Sequence, residues 1–137
     1  MKKLSFIKFI PGIAWFFIVL YLMCLPGDEI PSESWMTKIY FDKWAHAGVF
    51  GLMVLLFCWP FYKSDFNRKQ RLQYFLKITI AACIWGLAVE FIQNFFISGR
   101  EYDLLDWAAD SVGAIIALWF CSKILSTDAH SYKSTSE

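Results

Sequence analysis

The chain of 137 residues is 58% hydrophobic and 20% aromatic, and only 18% of it is charged, where an ordinary soluble domain carries roughly a quarter. At about 20 apolar residues per membrane-crossing helix, this composition suits one small membrane domain. A net charge of +1 lacks the concentrated basic excess of a nucleic-acid binder, so DNA and RNA are excluded as partners.

In chain order, the first apolar run covers residues 7–25, with Lys8 near its start and Pro11 where a first helical turn tolerates it. Pro26, Gly27, Asp28 and Glu29 follow it in place of a small-residue cleavage site, which predicts a retained helix and not a signal peptide. Further runs cover residues 44–61, 74–97 and 104–124, and Trp and Tyr near their ends suit interfacial anchoring. Residues 1–125 therefore read as an all-α integral membrane domain, a bundle of four transmembrane helices, and residues 126–137 as a polar cytoplasmic tail.

The cations are distributed unevenly. Lys2, Lys3 and Lys8 precede the first run, Lys63, Arg68, Lys69, Arg71 and Lys77 lie between the second and third, and Lys123 and Lys133 follow the fourth. Only Lys38, Lys43 and Arg100 fall on the other side, so the excess of Lys and Arg predicts that both termini are cytoplasmic and that the first and third connections face outward.

Polar residues inside the runs recur at helical spacing. Ala82, Gly86, Glu90, Gln93 and Asn94 share a face of the third helix, and Asp103, Asp106, Asp110, Gly113 and Ala117 share one of the fourth. On the second, Asp42 and His46 are i, i+4 neighbours with Lys43 beside them, which predicts that Asp42 holds the imidazole. Carboxylates scattered in lipid cost several kcal/mol each, so these groups are expected to converge in an outward acidic pocket, with Glu90, Arg100 and Asp106 meeting in one site. Glu90, His46 and Asp106 are the candidate catalytic groups. Asp42, Lys43, Gln93, Arg100, Asp103 and Asp110 are the candidate ligand-binding groups, in which Arg100 and Lys43 grip an anionic headgroup.

Other chemistries find little support. The four cysteines fall one per run with no C-x-x-C pair, so they read as buried free thiols. Only one histidine, His46, lies in the membrane domain, and its spacing to the carboxylates matches no ligand pattern, so neither a metal nor a cofactor is expected. Hydrolase, zinc-protease and P-loop motifs are absent from the sequence.

Asp42-Lys43-x-x-His46, then Glu90-x-x-Gln93, then Arg100-x-x-Asp103-x-x-Asp106-x-x-x-Asp110-x-x-Gly113 resembles the signature of the VanZ-like family over about residues 40 to 120. Two positions depart from it, Asp110 where the family often has Asn and Ala117 where a second Gly is common. The resemblance implies a small multi-pass protein of the bacterial inner membrane, associated with resistance to teicoplanin-type glycopeptides. Its expected partners are the lipid bilayer and a lipid-linked or anionic envelope component. A proton- or cation-coupled transporter and a structural scaffold of an envelope complex are the alternatives, the first on the Glu90 and Asp110 carboxylates, the second if the polar residues only knit helices together.

Overall fold

Four helices long and apolar enough to cross a membrane make up a computed structural model that describes residues 4–26, 40–62 and 64–125. Lys2, Lys3, Lys63, Lys133, the first connection's Asp28, Glu29, Glu33 and Lys38, and the tail at 126–137 lie outside the described residues. Among the described residues there is no strand.

A 3₁₀ turn at Phe6–Phe9 leads into α1, Ile10–Met23, whose Pro11 sits in the first turn where its missing N–H costs nothing. Helix α2, Phe41–Cys58, closes with the 3₁₀ turn Trp59–Phe61 around Pro60. Helix α3, Arg68–Phe96, begins well before the apolar run that announces it. The reason is a reciprocal capping box, in which Asn67 Oδ1 accepts the Gln70 N–H at 2.9 Å and Gln70 Oε1 accepts the Asn67 N–H at 3.0 Å, so the polar first turns are helical too. A short turn holding Gly99 at φ 71° reverses the chain. Asp103 then caps α4, Leu104–Ile124, its Oδ1 accepting the Leu105 N–H at 2.8 Å.

Outward faces are apolar: Phe17, Ile84, Ile116 and Trp119 are each more than 60% exposed, while His46, Glu90, Gln93, Asp106 and Asp110 are buried. This inverts the pattern of a soluble domain and suits helices long and apolar enough to cross a membrane, whose backbone polar groups are satisfied within each helix.

The closest packing joins α2 and α4. Both run in the same direction, and one register holds along their length: Lys43 meets Asp106, His46 meets Asp110, and the buried Cys58 thiol hydrogen-bonds that of Cys121. Glycines permit the approach. A Cβ on Gly51 would stand 3.1 Å from the Gly113 carbonyl oxygen, and one on Gly113 would overlap the Ala47 carbonyl. Helix α3 lies antiparallel against both, and α1 packs on α2 and α3. At one end of the bundle Phe61 packs against Phe9, Phe66, Tyr74 and Phe75. The opposite end holds the buried groups His46, Glu90, Asp106 and Asp110.

Candidate functional site

Alternation of helix direction brings the start of α2, the last turns of α3 and the start of α4 to one end, and with them most of the polar residues picked out in the sequence. Lys43 is the hub. Its Nζ lies 2.5 Å from Asp103 Oδ2, 2.6 Å from Asp106 Oδ1 and 3.1 Å from Asp42 Oδ2. Asp42 and Asp103 stand at the rim with 60% and 42% of their side chains exposed, and Asp106 lies deeper at 10%. The Lys43 ammonium holds the Asp103 carboxyl below the usual aspartate range, through the hydrogen bond between them.

One helical turn further in, His46 Nδ1 is 2.9 Å from Asp110 Oδ1, and its Nε2 faces Asp106 Oδ2 at 3.7 Å. The expected Asp42–His46 pair is therefore replaced: Asp42 turns out to the rim and binds Lys43, while Asp110 on the neighbouring helix holds the imidazole. Spacing of i, i+4 makes a contact possible, but the ring turns toward α4 because the glycine-mediated approach buries that face.

Glu90 enters from α3, fully buried. Its Oε2 accepts the Asp103 N–H at 2.9 Å and so fixes the start of α4 against the end of α3. Asp110 is equally buried, and its Oδ2 would lie 3.0 Å from a Cβ on Gly86, so glycine at that position on α3 makes space for the carboxylate. Glu90 Oε1 and Asp110 Oδ2 are buried without a hydrogen-bond partner. His46, Glu90 and Asp110 each offer a ligand atom, all three atoms lying within 4.8 Å of one another. Helical spacing places these residues at one end of the bundle, but because each comes from a different helix it does not single out this trio from the rest of the acidic pocket.

Two of the expected site residues are placed elsewhere. Gln93 Nε2 donates to the Met23 carbonyl at 2.9 Å, and Arg100 Nε donates to the Leu25 carbonyl at 3.4 Å. Both tether the end of α1, satisfying carbonyls that a helix C-terminus leaves open. Arg100 thus does not join Glu90 and Asp106, and among the described residues it makes no ion pair with a carboxylate. Asn94 also leaves the shared face, its Oδ1 accepting the Tyr102 N–H at 3.3 Å. Two grooves of about 270 and 430 Å³ are apolar, one lined by Phe16, Phe57 and Trp85, the other running along α2 and α4 from Trp44 and Ala47 to Leu52, Ile116 and Phe120.

Over 107 residues the chain is 38% identical to an uncharacterized protein of Schizosaccharomyces pombe. That match takes in 74% of this chain and 57% of the relative, so the chain spans little more than half of the relative's length. No protein-family model matches the chain, and no solved structure matches it.

Proposed function

We propose that the chain is a VanZ-like protein of the bacterial inner membrane, whose polar end faces outward and binds or modifies a lipid-borne component of the cell envelope. The observation that carries this reading is the buried set His46, Glu90, Asp106 and Asp110, gathered at one end of the bundle. Burying ionisable groups in a membrane domain is costly, and such groups mark function more often than glue. With Arg100 turned to α1, Lys43 is the cation of the cluster, and three carboxylates already hold it. The component that suits this site is a headgroup bearing hydroxyl or amine groups, which the carboxylates and the His46–Asp110 pair would orient and relieve of a proton. On this reading the component is a membrane lipid or lipid-linked headgroup, and any change in glycopeptide response follows from an altered envelope.

Orientation rests on Lys8, Arg68, Lys69, Arg71, Lys77 and Lys123, which belong to the end of the bundle opposite the cluster. Alkaline phosphatase fused after Glu137 should be inactive and a cytoplasmic fluorescent reporter bright; the reverse pattern overturns the proposed topology. In a glycopeptide-susceptible bacterial host, expression of the chain should raise the teicoplanin concentration needed to stop growth. Glu90→Gln and His46→Ala should each remove that effect at unchanged membrane abundance. Retention of the full effect by Glu90→Gln would mean that the carboxylate charge is dispensable, and no effect of the wild-type chain would remove the resemblance as a guide to function.

A further inference from the structure

We propose that His46, Glu90 and Asp110 form a binding site for one divalent transition-metal cation of the zinc or manganese class. Three ligand atoms from three helices lie within 4.8 Å of one another, and all three residues are buried. Bonds of about 2.0–2.2 Å to a tetrahedral cation set ligand atoms roughly 3.3–3.6 Å apart, so small side-chain rotations close the site without moving a helix.

Independent support comes from hydrogen bonding. Glu90 and Asp110 are both 0% exposed, yet Glu90 Oε1 and Asp110 Oδ2 have no partner. Buried polar atoms are nearly always satisfied, so two orphaned carboxylate oxygens beside one imidazole call for an acceptor of their lone pairs.

Charge points the same way. Lys43 is taken by Asp42, Asp103 and Asp106. That leaves two buried carboxylates, Glu90 and Asp110, against a single imidazole, and a dication bound by both and by neutral His46 is electrically balanced. One nitrogen and two carboxylate oxygens are ligands that zinc accepts in three-residue sites with an open position. A cation on His46 Nδ1, the nitrogen that faces Asp110, would leave the ring proton on Nε2, and Asp106 Oδ2, 3.7 Å away, is the carboxylate placed to close on it as an outer partner.

The test uses the full chain purified in detergent without a histidine tag, stripped with chelator and titrated with Zn²⁺, Mn²⁺ or Co²⁺ alone. The wild type should take up about one cation per chain, show visible Co²⁺ absorption bands and unfold at a higher temperature when loaded. Glu90→Gln, Asp110→Asn and His46→Ala should lose the bands and the thermal shift, while Asp65→Asn, at the opposite end, should keep both. Asp106→Asn, a positioning change, should weaken affinity by about 10–100-fold without abolishing binding. If wild-type chain binds none of the three ions at millimolar concentration, or if folded Glu90→Gln binds as the wild type does, the site does not exist. Should the three ligand variants fail to fold, the wild-type titration and the Asp106→Asn shift decide the matter. All these readouts are physical, so they stand or fall separately from any effect on antibiotic response.

Discussion

Replacing Lys43 with Met is expected to destabilise the bundle by about 3–5 kcal/mol, the cost of leaving a buried charge without its partner. Lys43 is the cation nearest Asp106, at 2.6 Å, and Asp106 is only 7% exposed. Methionine keeps the length and apolar stem of lysine and removes only the charge, so the loss reports the ion pairs and not a cavity. Asp103, at the rim, adds a pH signature. Its carboxyl is held below the usual aspartate range, so the stability it lends is full above a pH of about 3.9 and is lost as pH falls through the depressed value. In Lys43→Met that acid-side loss should shrink. Chemical unfolding in detergent micelles measures both effects, and Lys43→Met combined with Asp106→Leu should recover much of the stability, since an apolar pair of similar volume can replace a buried ion pair. A single variant within about 1 kcal/mol of the wild type, as for an exposed pair, would show that water and not Lys43 compensates Asp106.

The helices were legible because apolar runs near membrane length have few alternatives. Their ends were less so. Helix α3 starts at Arg68, since the Asn67–Gln70 box caps a turn that hydropathy discounts. Faces could also be read: Gly86 and Glu90 on α3, and Asp106, Asp110, Gly113 and Ala117 on α4, are buried as helical spacing requires.

Partners across helices could not be read from one sequence. Helical spacing says which residues share a face, but not how α2 is shifted along α4, and that shift decides whether His46 meets Asp42 or Asp110. Lys43–Asp106, His46–Asp110 and Cys58–Cys121 all follow from a single register, so any one of them would have given the others. Gln93 and Arg100 misled for a related reason. Polar side chains in a helix end satisfy the nearest open group, and here that group was a carbonyl at the end of α1, which spacing within α3 cannot reveal.

Because that register sets the site, the largest packing effect should come from the residue that permits it. Gly113→Ala is expected to cost about 1–3 kcal/mol or more, as overpacking does, and to disturb the buried cluster as well. The added Cβ would overlap the carbonyl oxygen, carbon and Cα of Ala47. These are backbone atoms of α2, so no side-chain rotation relieves the clash, and the two helices must part or slide. Either movement lengthens His46–Asp110 and Lys43–Asp106, which lie on the same helix pair. Gly48→Ala is the matched control: its Cβ meets nothing within 4 Å, and alanine is the better helix former by about 1 kcal/mol in water, so that variant should be neutral or stabilising. Thermal unfolding in detergent compares the two directly, and equal stability of Gly113→Ala and Gly48→Ala would mean that α2 and α4 do not pack through Gly113. If Gly113→Ala folds but unfolds early, its Co²⁺ affinity should fall too, because Asp110 sits less than one turn from the displaced contact while His46 adjoins Ala47.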